Sequence, residues 1–208
     1  MKWGYHMRAI IHNKSEFRIH YQETGAVWKL SNTFLQCIPF HMENIIFFCI
    51  GTDRSTGDSL GPLTGSHLSE LTTFPFPVIG TLETPLHALN LEQKIEELQI
   101  KNPNAFIVAI DACLGKGTSI GQILFQHEPI RPGQAVGKDL PPVGDVSIKG
   151  IVNIAGFMEH AVLQSTRLHL PFEMSRILSR ALQLAYSRHR SNKVYNGNNH
   201  TYYQNTGH

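Results

Sequence analysis

The sequence predicts an α/β protein: a three-layer αβα sandwich built on a mostly parallel sheet. Short, continuously apolar segments, typical of strands buried on both faces, alternate with segments of helical periodicity. This alternation is typical of βαβ units, whose helices cover both faces of a parallel sheet. Ligands bind beyond the carboxyl ends of strands in such sheets, and two of the predicted strands lead into aspartates.

The first elements are predicted in chain order as follows. Residues 1–43 are expected to form a partly helical N-terminal extension, because GAVWKLSNTFLQCI has amphipathic spacing. The continuously apolar residues 45–50 (IIFFCI) predict the first buried strand of a single α/β domain over residues 44–190. Leucines at helical spacing from Leu60 onward predict a helix, with Asp58 or Ser59 as its N-cap.

The second half continues the alternation. Residues 76–80 (FPVIG) predict a short strand, and Asn90 is expected to cap the helix NLEQKIEELQ, with Gln93 completing a loose capping box. Residues 105–111 (AFIVAID) predict a strand that ends at a carboxylate. Further predicted elements are strands in SIGQILFQ and DVSIKGIVN, helices over residues 156–168 and 172–190, and a disordered tail over residues 191–208.

Composition narrows the class of protein. Lysine plus arginine number 18 against 16 aspartates and glutamates, a net charge of +2, so we expect neither a nucleic-acid nor a membrane partner. The apolar runs are shorter than the roughly 18 residues that cross a bilayer, and the N-terminus is a poor signal peptide. Cys37, Cys49 and Cys113 are widely spaced, which fits a reducing cytoplasm better than a disulfide framework.

The loop IGTDRSTGDSLGP after the first predicted strand resembles a phosphate-binding loop, but its spacing is wrong. Five residues separate Gly51 from Gly57, and Asp58 occupies the position where such a loop needs lysine. A carboxylate there repels phosphate, so a nucleotide site is not expected. One remaining interpretation is that Asp58 only caps a helix.

The second interpretation pairs Asp58 with Asp111. Asp111 ends a buried strand, where a carboxylate is costly unless it meets a polar crevice. Two carboxylates at one sheet edge can split their pKa values, so that one activates a water molecule and the other protonates a leaving amine. We therefore predict Asp58 and Asp111 as catalytic residues, although the sequence leaves open whether the two meet.

Two other chemistries stay open at this stage. A carboxylate–imidazole metal site could form from His87 with Asp58, Asp111 or Glu83. No metal motif is present in the sequence, however, and neither a metal nor a cofactor is predicted. Cys113 could act as a nucleophile, but no base is implied by its spacing, so a packed small residue is favoured.

Residues around these aspartates are predicted to bind substrate. They are Gly51, Thr52, Asp53, His87 and Lys138. Lys138 lies in the long glycine- and proline-rich loop 131–145, which is either a binding loop or a stiffened surface connection. In the first case its ammonium would pair with the aspartates or orient a substrate carbonyl.

Residues 40–187 also carry a family resemblance, in the motifs GTDRSTGDSLGPLTG, GTLETPLHALNL, AIDACLG, IRPGQAVGKDLPPVGDVSIKGIVN and GFMEHAVLQSTRL. Together they resemble the YyaC-type sporulation proteins of spore-forming bacteria. More distantly, GDSLGP, AIDA and IRPGQAVG resemble motifs of the germination protease that degrades small acid-soluble spore proteins. That resemblance implies that Asp58 and Asp111 are its essential aspartates, and that the fold is the hydrolase- and phosphorylase-like one of the hydrogenase-maturation proteases.

The resemblance implies a function and leaves alternatives. It implies a sporulation or germination endopeptidase in the cytoplasm of the forespore or spore. The substrate would be a protein or peptide, with small acid-soluble spore proteins as candidates. The resemblance is also compatible with a homo-oligomer. A protease-like binder or regulator of a spore protein is the first alternative. A metal-dependent maturation peptidase is the second, although Asp58-Ser59 and Glu83 or His87 do not reproduce the metal ligands of hydrogenase-maturation proteases.

Overall fold

A computed structural model describes residues 16–132 and 141–202 of the chain. Lys138 therefore lies outside the described residues. The strands are β1 (Phe17–His20), β2 (Ile45–Cys49), β3 (Val78–Ile79), β4 (Phe106–Gly115), β5 (Gln122–Gln126) and β6 (Val146–Ile154). The helices are α1 (Ala26–Cys37), α2 (Leu60–Ser69), α3 (Leu91–Lys101), α4 (Glu159–Gln164) and α5 (His169–Tyr202).

The strands form one six-stranded sheet in the order β1-β5-β6-β4-β2-β3. β6, β4, β2 and β3 are parallel to one another, whereas β5 is antiparallel to both of its neighbours. Five of the six strands therefore point the same way. Their shared carboxyl edge carries the loops after β2, β3 and β4.

Helices cover both faces of this sheet, and β2 shows how. Its alternate residues Ile45, Phe47 and Cys49 pack into one core with side chains of α1, α2 and α5. Ile46 and Phe48 pack into a second core with α3. Because every side chain of β2 is buried, the strand is continuously apolar, and the predicted three-layer αβα sandwich is confirmed.

The N-terminal boundary differs from the prediction. β1 pairs with β5 at the sheet edge, and Leu30 and Phe34 of α1 are fully buried in the first core. Residues 16–43 are therefore part of the α/β domain and not an extension of it. The sequence did not reveal this because the four residues of β1 are recognisable as a strand only through their pairing with β5, about a hundred residues away.

The C-terminal boundary also differs. α5 continues to Tyr202, so residues 191–202 are helical where the sequence predicts disorder. Once a helix is nucleated by a packed segment, each further residue adds a backbone hydrogen bond, which the polar composition does not prevent. Among the described residues, no helix is both long enough and apolar enough to cross a membrane.

The predicted helix caps have the right positions but not the expected bonds. Ser59 is the N-cap residue of α2, yet its hydroxyl donates to the carbonyl of Thr56 at 2.6 Å. Asn90 precedes α3, but its side chain accepts from the N–H of His87 at 2.8 Å instead of capping the helix. Tertiary and turn contacts therefore replace local capping at both helices.

Backbone contact between α2 and the sheet positions the loop after β2. A Cβ atom on Gly61 would lie 2.0 Å from the carbonyl oxygen of Ile50, and one on Gly65 would lie 2.0 Å from that of Gly80. Real Cβ atoms do not approach so closely, so only glycine permits this packing. The first turn of α2 is thereby held against the carboxyl end of β2.

We predict that Gly61→Ala destabilises the protein by about 3 kcal/mol or more, because the added methyl group forces the helix off the strand. In an ordinary helix the same change would stabilise by about 1 kcal/mol. Denaturant unfolding measures the difference. Gly117→Ala is the control, since its Cβ would meet only Ile154 at 3.9 Å, and equal stability of the two variants would contradict the packing argument.

Candidate active site

A cleft of about 1050 Å³ opens at the carboxyl edge of the sheet. Its floor is formed by residues that follow β2 and by the second half of β4, and α4 forms one wall. The predicted site residues that line it are Gly51, Thr52, Asp53, Asp58, His87 and Asp111. The structure therefore brings together all of the predicted site residues that it describes.

Asp58 is held by a 3-10 turn, Thr56–Ser59, between β2 and α2. The backbone carbonyl of Asp58 accepts a hydrogen bond from the N–H of Thr52 at 3.0 Å. The hydroxyl of Thr56 donates to the carbonyl of Gln164 at 3.1 Å, which ties the turn to the end of α4. Gly57 permits this contact, since a Cβ there would lie 2.7 Å from the carbonyl oxygen of Leu163.

Asp111 is positioned by the sheet itself. The sequence predicts that it ends its strand, but β4 continues to Gly115 because β6 pairs with it beyond Asp111. The last residue of β4 in register with β2 is Ile110. Asp111 therefore lies where β2 stops covering β4, and its carboxylate accepts a hydrogen bond from the N–H of Ala112 at 2.8 Å.

The two aspartates share one low-dielectric environment. Burial raises the pKa of Asp58 to about 7. Burial also raises the pKa of Asp111 well above its usual range, and the negative charge of Asp58 raises it further. The N–H of Ala112 and the ammonium of Lys149 lower it only in part. As the pH rises, Asp58 therefore loses its proton before Asp111 does.

Lys149 is a site residue that the sequence reasoning missed. It is the register partner of Asp111 on the neighbouring strand β6, lies partly buried and lines the cleft. In parallel strands, residues in register point to the same face, so the ammonium lies on the side of the Asp111 carboxylate. The available signal was a lysine inside the otherwise apolar and small residues of VSIKGIV, where a charge is costly without a role.

Cys113 also lines the cleft, but the environment of its thiol opposes nucleophilic chemistry. Burial, with the negative charge of Asp111, raises the thiol pKa to about 12. Because the thiolate and not the thiol is the nucleophile, Cys113 is poorly reactive at neutral pH. This agrees with its interpretation as a packed small residue.

His87 does not fit a metal site. Its Nδ1 accepts a hydrogen bond from the N–H of Leu89 at 3.3 Å, which places the ring proton on Nε2 and removes that nitrogen's lone pair. Over residues 16–132 and 141–202, no three histidine, cysteine, aspartate or glutamate side chains cluster as metal ligands. His87 is thus a hydrogen-bond donor at the cleft wall, and no step through a metal is derived.

Ser55 is a second residue that the sequence did not single out. It lines the cleft, is only 7% exposed, and its hydroxyl has no hydrogen-bond partner among the described residues. Buried hydroxyls are usually paired, so an unpaired one beside Asp58 is unusual. No local pattern in the sequence distinguishes it from the other hydroxyl residues of the loop.

Comparisons with known proteins find two similar chains of different kinds. The chain is 50% identical over 140 residues to a Bacillus subtilis (strain 168) protein described as "Uncharacterized protein YyaC", covering 67% of this chain and 68% of that one. It is also similar to the crystal structure of the NiFe hydrogenase maturation protease HycI from Thermococcus kodakarensis KOD1. That match has a TM-score of 0.45 and 18% identity, and covers 74% of this chain and 99% of that chain.

A family model also matches residues 18–181, which is most of the chain and includes every described site residue. The YyaC protein of Bacillus subtilis matches at an identity that independently establishes common descent. The chain therefore belongs to the family described as "Protein of unknown function (DUF1256)".

Proposed function

We propose that this protein is an endopeptidase in which Asp58 and Asp111 activate a water molecule against a peptide bond. The single observation that carries the proposal is the presence of two aspartates in one cleft, with both carboxyl pKa values raised by burial. Perturbed acids cluster at functional sites because catalysis needs protonation states that water does not favour. A purely structural loop has no need of this arrangement.

The different environments assign the two roles. Asp58, with a pKa of about 7, is the general base that removes a proton from the attacking water. Asp111 keeps its proton at neutral pH and donates it to the leaving nitrogen. A C–O bond to the water oxygen forms first, the C–N bond then breaks, and the products are a carboxylate and an amine.

Five other residues would hold the peptide. Gly51 lines the cleft just after β2, and its N–H donates to the carbonyl of Leu86 at 2.8 Å. The Nε2–H of His87 and the exposed carboxylate of Asp53 are available to backbone or side-chain groups of a substrate. We propose these residues, Thr52 and Lys138 of the loop 131–145 as the substrate-binding set.

The motifs suggest where this peptidase would act. Because GDSLGP and AIDA resemble the aspartate motifs of the germination protease, we propose small acid-soluble spore proteins as substrates and the forespore or spore cytoplasm as the location. Asp58 and Asp111 are the residues that carry this resemblance.

A non-catalytic binder is the second candidate, and exposed apolar residues favour it. Phe157 is 90% exposed just before α4, whose residues line the cleft, and Leu89, which lines the cleft itself, is 80% exposed. Exposed apolar residues beside a cleft are typical of surfaces that bind protein. A binder and a peptidase would both use this rim, so only cleavage separates the two functions.

We predict that the protein cleaves small acid-soluble spore proteins and that Asp58→Asn and Asp111→Asn each reduce the rate by at least about 100-fold, since each removes one proton-transfer step. Electrophoresis and mass spectrometry of the products measure the cleavage. Full activity in either variant would rule out the aspartate mechanism. Binding of intact substrate without cleavage by the wild type would favour the binder.

The pH dependence of cleavage follows from the two pKa values. The base must be ionised, so the rate should rise with pH and reach half of its maximum near pH 7, where Asp58 titrates. It should fall again only at a higher pH, where Asp111 loses its proton. A rate that is highest at pH 4 to 5 would assign the roles differently, because there the base would be protonated.

Stability should depend on pH in the direction opposite to that of the cleavage rate. An aspartate whose pKa is raised in the folded state binds its proton more tightly there, so wild-type stability falls as pH rises from about 4 to about 7. Asp58→Asn removes this loss, and we predict a variant more stable than wild type by about 1 to 2 kcal/mol at pH 8 and equal to it near pH 4.

Denaturant unfolding at both pH values measures this effect. The control is Asp53→Asn, which changes an exposed carboxylate in the same loop and should alter stability by less than about 0.5 kcal/mol at either pH. A loss of stability in Asp58→Asn at pH 8 would mean that the carboxylate is a structural cap and not a desolvated base.

A further inference from the structure

Lys149 is the one charged residue of β6, whose other residues are apolar or uncharged. Its neighbours Ile148 and Gly150 are buried, and a Cβ at Gly150 would collide with Leu60 at 2.2 Å. The strand is therefore packed tightly against α2 on one face, while Lys149 points to the other. A charge in such a strand costs stability unless it has a partner or a ligand.

No carboxylate in the described part of the chain forms an ion pair with Lys149 within 4.0 Å. Its register partner is Asp111, whose pKa is raised well above its usual range by burial, which disfavours the charged carboxylate. The ammonium therefore has no ion-pair partner among the described residues. Its charge remains available to whatever enters the cleft.

The other cations of the cleft are placed differently. Arg54 and Arg131 are exposed at its rim. Lys149 alone among these three is partly buried and belongs to the sheet. β4 lies between β2 and β6, so Lys149 approaches Asp111 from the side opposite to the loop that carries Asp58.

We propose that Lys149 binds the carbonyl oxygen of the scissile amide and stabilises the negative charge that develops on it. The inference rests on the proposed function and adds to it a third catalytic residue. As water attacks, the C=O π electrons move onto the oxygen, and its negative charge lies beside the ammonium. When the tetrahedral intermediate collapses, the C=O bond reforms and the nitrogen leaves with the proton of Asp111.

This role fits the ligand chemistry of the cleft better than a role in protein stability. An amide oxygen is a neutral acceptor in the ground state and an anion in the intermediate, so a fixed ammonium stabilises the second more than the first. Tetrahedral oxyanions are therefore the chemical class that the Lys149 side of the cleft should prefer.

Kinetics of spore-protein cleavage test the catalytic step. Lys149→Met should lower kcat by about 100-fold and change KM by less than about 3-fold, because the interaction forms mainly in the transition state. Lys149→Arg should retain more activity than Lys149→Met. The control Lys116→Met removes an exposed lysine outside the cleft and should leave kcat unchanged.

Binding of a small anion tests the subsite without cleavage. Dimethylphosphinate mimics the tetrahedral intermediate, and ³¹P NMR measures its binding to the full chain at pH 6, where the aspartate pair is mostly protonated. We expect binding to wild type, Lys116→Met and Lys149→Arg, and at least 5-fold weaker binding to Lys149→Met. A His87→Gln/His160→Gln variant controls for the imidazoles. Besides Asp58, Asp111 and Lys149, the titratable or charged groups that line the cleft are Asp53, Arg54, Glu83, His87, Cys113, Glu128, Arg131, Glu159 and His160.

The outcomes separate the two proposals. If the wild type cleaves nothing but only Lys149→Met loses phosphinate binding, an anion subsite at Lys149 stands, whereas the peptidase function and the catalytic role of Lys149 both fail. If Lys149→Met cleaves or binds phosphinate as wild type does, the inference is overturned. A fall in Tm of more than about 3 °C in Lys149→Met, matched by Lys149→Arg, would overturn it by showing that the side chain is structural.

Discussion

The contact between the backbone of α2 and the carboxyl end of β2 is the constraint on which the site depends. Gly61 lets the helix touch Ile50, and Gly51, with φ of +138°, turns the chain so that its Cα faces the carbonyl of Asp58. A Cβ at either glycine would lie 2.0 Å from a backbone oxygen. The loop between the two glycines is thereby held against the sheet, which fixes the position of Asp58.

The electrostatics of the site follow from that packing. Asp58 and Asp111 lie in one cleft where neither solvent nor a positive side chain fully compensates the negative charge of a carboxylate. Both carboxyl pKa values therefore rise. Lys149 limits this rise from the neighbouring strand without forming an ion pair within 4.0 Å among the described residues. The protein keeps two carboxyl groups and one ammonium group in one cleft at a cost in stability, which is characteristic of functional sites.

Much of the fold could be predicted because its signals are local. Continuous apolar runs identify β2 and β4, and the helical spacing of leucines identifies α2 and α3. The predictions failed where partners are distant in sequence. β1 is a strand only through β5, β4 is longer than its apolar run because β6 continues beside it, and α5 extends past its apolar face.

Sequence alone predicts the αβα class and singles out the two aspartates, because strand hydrophobicity and a carboxylate in a buried segment are visible without coordinates. It cannot show that Asp58 and Asp111 line one cleft, since more than fifty residues separate them. That arrangement comes from the fold, which places β2, β4 and β6 side by side in the order of the sheet and not of the chain. The same order put Lys149 next to Asp111, a proximity set by strand register, which no spacing along the chain encodes.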